Sequence, residues 1–253
     1  MPPKTVEAVI LQVKPYGEAD LIVDFFSFSR GRIKGIAKGA QKSRKRFVHC
    51  FQPLNLVRLT LFEKQNYSLV RIDQGELIEP FSGIRKDFRK WGEASYLCEM
   101  IQAFFALGDP QPEVFELIRQ ALGLISQDRP EKEIFPIVRI RLLKAAGYGF
   151  YLEGCLGCGK KIEEIPNPVF SVSGGGVFCP LCQKGEKGKG LSRGAIESLR
   201  KTQTMAVPQV FRIRFSRELQ AEIEQLLNPF TARVLGKELE SAHYLKQIQE
   251  TYQ

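Results

Sequence analysis

A five-stranded barrel followed by an α-helical region with a four-cysteine ribbon inserted in it, an α+β architecture, is what this 253-residue sequence predicts. Three observations predict it. Residues 1–80 carry five short runs rich in Val, Ile, Leu and Phe, separated by turn residues. From residue 81 onward, apolar residues recur at helical spacing. Between two helical stretches, residues 151–190 hold two Cys-x2-Cys pairs among glycines and prolines. The expected segments are 1–80 (barrel), 81–150 (helical, first part), 151–190 (ribbon) and 191–253 (helical, second part).

The candidate strands are Val6–Val13, Leu21–Phe28, Arg32–Lys38, Asn55–Phe62 and Tyr67–Ile78. Pro15-Tyr16-Gly17 separates the first two. Ser29-Arg30-Gly31 makes a tight hairpin in which Gly31 supplies positive φ. Lys64-Gln65-Asn66 makes another. In Asn55–Phe62, Val57, Leu59 and Leu61 share one face and Arg58 and Thr60 the other, the alternation of a half-buried strand. Five short strands suit a small closed barrel, and the OB-fold is the five-stranded option.

In the helical region, Ile84, Phe88, Trp91, Leu97, Ile101 and Phe104 outline a first helix that ends by Gly108. Val114, Phe115, Ile118, Ala121, Leu122 and Ile125 line a second, after the Asp109-Pro110-Gln111-Pro112 loop. Asp128-Arg129-Pro130 resets the chain, and a third helix spans Glu131 to Ala146 with Gly147 as its cap. Helices return at Arg193–Thr204, Arg217–Leu227 and Ala242–Thr251. Ser192 and Ser216 are sensible N-caps.

Several functional classes are disfavoured. No apolar run approaches the roughly 18 residues of a membrane span. The N-terminus lacks a signal-peptide core, so a cytoplasmic protein is expected. Two histidines far apart, His49 and His243, poorly support a histidine-based catalytic centre. No G-x-x-x-x-G-K-[ST] motif is present. No pair of carboxylates stands out as an acid/base couple, and no enzyme is expected.

Charge is more informative. The net charge is +9, and its location decides the reading. From Phe25 to Phe62 there are nine Lys/Arg and no Asp or Glu, while outside this window the 28 acidic residues are matched by as many basic ones. A focused excess points to a polyanion site. Its core, Arg30, Arg32, Lys34, Lys38, Lys42, Arg44, Lys45 and Arg46, is the candidate DNA-binding set. Phe25, Phe26, Phe28, Phe47 and Phe51 lie nearby, and basic grooves with aromatic platforms are how OB-folds hold single strands. Taken one at a time, each Phe is better read as core. Two readings are open for Arg85, Lys86, Arg89 and Lys90 and for Arg139, Arg141 and Lys144: an extension of the binding track or a solvated face. Lys184, Lys187 and Lys189 read as a solvated loop.

The strongest motif is C-x2-C-x20-C-x2-C, formed by Cys155, Cys158, Cys179 and Cys182. Four thiolates satisfy the tetrahedral preference of zinc and close its coordination sphere, so one structural zinc is expected. Phe170-Ser171-Val172 and Val177-Phe178 can pair as a hairpin across Ser173-Gly174-Gly175-Gly176. An iron site of similar knuckle geometry and a redox dithiol are the alternatives. A zinc deaminase is not, because the chain has no H-x-E and reads Cys179-Pro180-Leu181-Cys182 instead of P-C-x-x-C. His49, His243, Cys50 and Cys98 read as packing residues.

Ala8-Val9-Ile10-Leu11, Tyr16-Gly17-Glu18-Ala19-Asp20, Gly31-Arg32-Ile33, Ala37-Lys38-Gly39-Ala40, Ser43-Arg44 to Phe47 and Gln52-Pro53 resemble the N-terminal domain of the RecO family of bacterial recombination mediators. Arg141-Leu142-Leu143-Lys144-Ala145-Ala146-Gly147-Tyr148 and Leu235-Gly236-Lys237-Glu238-Leu239-Glu240-Ser241 extend the resemblance to essentially the whole chain. It implies an OB-fold, a helical domain and an inserted zinc ribbon. It also implies binding of single- and double-stranded DNA, annealing of complementary strands and assistance to RecA loading in recombinational DNA repair. The implied partners are RecR and the C-terminal tail of single-strand-binding protein. An RNA-binding or ribosome-associated OB/zinc-ribbon protein is the alternative, and a structural adaptor without polyanion affinity a third reading.

Overall fold

A computed structural model describes residues 3–62, 69–127, 131–183 and 188–251. The chain divides into two compact units, Met1–Arg129 with Tyr244–Gln253, and Pro130–His243.

The first unit is built on strands β1 (Lys4–Tyr16), β2 (Asp20–Ser27), β3 (Gly31–Ala37), β4 (Leu56–Phe62) and β5 (Val70–Glu79). They close into a barrel in the order β1-β2-β3-β5-β4, the five-stranded closed sheet expected of the sequence. β1 closes it by pairing twice: Lys4–Val9 with β4, and Ala8–Tyr16 with β2. A register shift between Ile10 and Gln12 gives the bend this requires. β3 and β5 make the one parallel pairing among the described strands of the barrel, from Gly35↔Val70 to Ala37↔Ile72. It needs a residue without a Cβ, since a Cβ on Gly35 would lie 2.7 Å from the Ile72 side chain. Val6, Ala8, Ile10, Val23, Phe25, Ile33, Val57, Leu59, Leu61 and Ile72 fill the interior. The hairpin at Ser29-Arg30-Gly31 is present, with Gly31 at φ +64. The expected turn at Lys64-Gln65-Asn66 lies outside the described residues.

β2 is buried on both faces. Val23 and Phe25 join the barrel core. Asp24 and Phe26, on the other face, are also buried, and the Phe26 ring lies 5.9 Å from that of Phe105. The cover comes from the segment around α1 (Phe88–Phe104) and α2 (Pro112–Ser126). α1 starts later than Ile84, because Asp87 caps it by accepting from the N–H groups of Arg89 and Lys90. Phe88 is consequently exposed rather than part of the apolar face, which runs through Leu97, Met100 and Ile101. α2 buries the face expected of it, Val114, Phe115, Ile118, Ala121, Leu122 and Ile125, with Leu117 added.

The second unit contains α3 (Glu131–Ala145), the strands β6 (Tyr151–Cys155), β7 (Val169–Ser171), β8 (Gly176–Phe178) and β9 (Gly188–Gly190), then α4 (Arg193–Thr204) and α5 (Arg217–Leu235). The sheet order is β6-β8-β7-β9, with β7 and β8 forming the expected antiparallel hairpin. Ser192 and Ser216 cap α4 and α5 by accepting from Ala195 and Leu219 N–H. α5 continues past Leu227, through Pro229, to a left-handed Gly236. Proline disfavours a helix interior, but packing overrides it here. Phe230, one residue on, is buried against Phe150 and Phe170 at centroid distances of 5.1 and 6.0 Å. The last helix, α6, is Glu240–Thr251.

Candidate metal centre and nucleic-acid interface

The sheet of the second unit positions the four cysteines. β6 ends on Cys155, whose N–H donates to the Lys160 carbonyl, while Gly159 N–H donates back to the Cys155 carbonyl. This tight turn places Cys158 beside Cys155. The second turn follows β8, where Cys182 and Gln183 N–H both donate to the Cys179 carbonyl. The four Sγ atoms all lie within 4.8 Å of one another. Cys158 and Cys179 Sγ are 3.8 Å apart. Four sulfurs about 2.3 Å from a tetrahedral centre would lie about 3.8 Å from one another, so the donor set fits a tetrahedral thiophilic ion. That spacing is far beyond a disulfide bond of about 2.05 Å.

The local electrostatics also suit a cation. Burial pushes the Cys155 thiol up, but the N–H groups of Cys179, Cys158 and Gly157, with the Cys158 side chain, together outweigh burial and bring it down to about 6; the Cys179 and Gly157 nitrogens lie 3.3 and 3.4 Å from its sulfur. Cys182 is pushed up to about 12, first by its hydrogen bonds with the Cys179 and Cys158 sulfurs. Four sulfurs this close cannot all ionise unaided, whereas a bound cation deprotonates coordinating thiols outright. Cys50 and Cys98, by contrast, are buried singly, and burial pushes them to about 11 and about 12. They are packing residues, as expected; His49 and His243 are exposed instead.

The basic segment divides into three kinds of side chain. Lys38, Lys42, Arg44 and Lys45 are exposed on the connection between β3 and β4. Lys34 is half-exposed on the outward face of β3. Arg32, on the same face, is not available in this way. It pairs with buried Asp24 at 2.7 Å, and its Nη1 donates to the Gln102 carbonyl at 2.5 Å. Arg30 is half-buried in the hairpin. Here the chain around Asp109 approaches so closely that a Cβ on Gly31 would collide with its carbonyl. Arg46 is half-buried, and its Nη2 donates to the Lys38 carbonyl.

The exposed cations ride on an anchored loop. At its start, Gly39 N–H donates to Asp20 Oδ1 at 2.7 Å and Gln41 Nε2 to the Asp20 carbonyl at 2.9 Å. At its end, buried Asn55 donates to the His49 and Cys50 carbonyls. Arg85 in turn donates to Asn55 Oδ1 and the Pro53 carbonyl at 2.8 and 2.7 Å. Arg85 is therefore a clasp for this loop. Lys86 and Arg89 are exposed, and Lys90 is buried. Asp20 and Asn55 escape a charge-based reading. Asn55 leaves a trace as a lone amide in an apolar stretch, and Asp20 as a member of the resemblance motif. Of the aromatic residues, Phe25, Phe26 and Phe47 are core. Phe51 is half-buried on Phe47, and Phe28 is exposed with its ring 5.8 Å from Phe115.

In the basic group before the ribbon, Arg139 is buried, Arg141 half-buried and Lys144 exposed. Arg141 Nη1 donates to the Gln203 and Met205 carbonyls at 3.0 and 2.8 Å, and Lys144 Nζ to Gln203 at 2.7 Å. These cations satisfy carbonyls at the C-terminal end of α4 that lack helical partners. Arg139 is buried over the Phe135 ring. Lys189 is exposed on β9, while Lys184 and Lys187 lie outside the described residues.

Two family profiles match. That described as Recombination protein O N terminal matches residues 1–81, and that described as Recombination protein O C terminal matches residues 85–243. The chain is 31% identical over 246 residues to the DNA repair protein RecO of Syntrophobacter fumaroxidans, covering 97% of this chain and 98% of that protein. It is 32% identical over 246 residues to that of Syntrophus aciditrophicus, covering 96% and 95%. It is 31% identical over 257 residues to that of Desulfatibacillum aliphaticivorans, covering the whole of both.

Proposed function

The chain belongs to the RecO family of DNA repair and recombination proteins, non-enzymatic recombination mediators, and on that premise we propose that it binds single- and double-stranded DNA, anneals complementary strands and assists RecA loading. The observation that supports this best is the group of exposed cations, Lys38, Lys42, Arg44 and Lys45, on an anchored loop of a barrel. With Lys34, and with Arg30 at the rim, they contact phosphates. Arg32 instead holds Asp24.

The mechanism is electrostatic. Each phosphate contact releases condensed counterions and lowers the repulsion between two strands, and base pairing supplies the driving force. Phosphate contacts position a strand without reading its sequence, so binding is only weakly sequence-dependent. Cys155, Cys158, Cys179 and Cys182 hold one zinc, which stabilises the ribbon and leaves no open position for a substrate water. RecR and the C-terminal tail of single-strand-binding protein are the proposed protein partners.

Titration of single-stranded DNA at several salt concentrations tests the reading. A Lys42→Ala, Arg44→Ala, Lys45→Ala triple variant should bind more weakly, with a salt slope shallower by about two, at roughly 0.7 per contacted phosphate. Its thermal unfolding should be unchanged. An unaltered slope in a folded variant would sink the proposal. Preference for RNA over a matched DNA competitor would favour the ribosome-associated alternative.

A further inference from the structure

Arg46 belongs to the basic run, yet its guanidinium is used within the loop. Nη2 donates to the Lys38 carbonyl at 2.5 Å. Cζ lies 4.9 Å from the centroid of the Phe47 ring, which itself is 5.0 Å from that of Phe51. The Arg46 backbone is engaged as well. Its N–H donates to Ser43 Oγ at 3.2 Å, and its carbonyl accepts from Gly75 N–H in β5 at 2.9 Å. Gly39, in the left-handed region at φ +66, lets the chain turn so that Lys38 and Arg46 meet, and a Cβ there would sit 3.5 Å from Arg46 Nη2. One residue thus ties the start of the 38–46 segment to its end and fixes both to β5. The side chains it brackets, Lys42, Arg44 and Lys45, are exposed, as is Lys38.

We infer that Arg46 is a positioning residue: it holds the loop in one shape, so that Lys38, Lys42, Arg44 and Lys45 meet a polyanion as a preformed set, and does not itself contact phosphate. The inference rests on the DNA-binding reading above. A loop ordered before binding does not lose that freedom on binding, which raises affinity without adding a contact. The role needs arginine. Its planar fork can donate to a carbonyl while lying over a ring, whereas lysine offers only a compact charge.

The experiment compares Arg46→Lys, Arg46→Ala and Lys45→Ala in the full-length protein. Amide hydrogen exchange at Gly75 is read without DNA, and affinity for a single-stranded oligonucleotide across a salt series. A positioning role predicts that both Arg46 variants speed exchange at Gly75 and weaken binding about three- to tenfold, with the salt slope of the wild type. Lys45→Ala should leave Gly75 exchange alone and lower the slope by about 0.7. The inference is overturned if Arg46→Lys binds like the wild type while Arg46→Ala loses slope, because that pattern marks a direct phosphate contact. It is also overturned if Gly75 exchange is unmoved in both Arg46 variants. If the wild type shows no salt-dependent binding at all, the DNA reading falls, and the inference with it, whatever Gly75 does. Exchange of the β1 and β2 ladder amides should stay at wild-type rates in both Arg46 variants, which separates a loosened loop from a general folding defect.

Discussion

The barrel loop and the basic group of α3 both gather cations, and they use them in different ways. In the loop, Lys38, Lys42, Arg44 and Lys45 stand together, exposed, with like charges as neighbours. In α3, half-buried Arg141 and exposed Lys144 donate to carbonyls at the end of α4, and Arg139 is buried. The difference teaches that counting basic residues does not locate a polyanion site. A guanidinium satisfied by carbonyls or a carboxylate is part of the fold, whereas clustered exposed charge is unfavourable to the fold and invites a counter-charge. Substitutions in the two classes should therefore separate stability from binding.

The largest effect is expected at the thiols of the ribbon. Cys179→Ser should lose the metal and cost on the order of 5 kcal/mol in the second unit, part of the roughly 10–16 kcal/mol with which structural zinc binds. Elemental analysis and calorimetry check this. Zinc retained at one equivalent in the variant would break the assignment. The same site should release zinc as pH falls, since protons compete for the thiolates.

Arg32 tests the comparison inside the barrel itself. Arg32→Ala leaves Asp24 buried without its cation, with the Gln102 amide still donating to it at 3.3 Å, and should destabilise the first unit by about 3–5 kcal/mol. Lys34→Ala, two residues along the same face, should change stability by less than about 0.5 kcal/mol. Equal denaturation midpoints for the two would put Arg32 back among the exposed cations.

Arg141→Ala comes next. The Met205 carbonyl loses this donor and the Gln203 carbonyl keeps only that of Lys144, for an expected cost of about 1–3 kcal/mol. The salt slope of DNA binding should match that of the wild type. A shallower slope would erase the contrast between the two regions.

The smallest effect is a pH dependence. Burial raises the Cys50 and Cys98 thiols from the usual 9.0 to about 11 and about 12. The sign follows from protons: above pH 9 the unfolded chain releases them and the folded one holds them. Stability present below pH 9 is therefore lost as pH rises toward 11, by on the order of 1 kcal/mol per thiol at pH 10. Serine at either position should flatten that slope, measured by denaturation from pH 8 to 10.

Much of the architecture is legible because each element carries a local signal. The alternation in Asn55–Phe62 and the apolar face of α2 are such signals, and the strands and helices they mark are present. Differences arise where a cap or a distant partner overrides the apolar periodicity. Phe88 fits a helical apolar face but lies exposed, because the Asp87 cap starts the helix there. The helix expected over Arg217–Leu227 runs on through Pro229 to Leu235 and buries Phe230. The candidate sites behave alike. The four cysteines can be read from spacing alone, since two residues between ligands suffice for a turn around a metal. Which cations face outward cannot, because Arg32, Arg46 and Lys45 look the same to a count of charge.

The sequence by itself therefore determined the periodicities, the caps at Ser192 and Ser216, the ligand spacing and the place where the excess charge is concentrated. These depend on neighbours within a few residues along the chain. Only the tertiary structure decided that Asp24 meets Arg32 and Gln102, that Arg85 clasps Asn55, that α4 ends on Arg141 and Lys144, and that the loop hangs from Asp20 and β5. The physical reason is common to all of them. A buried or half-buried polar group must find a partner, and the fold, not the local sequence, brings that partner within reach.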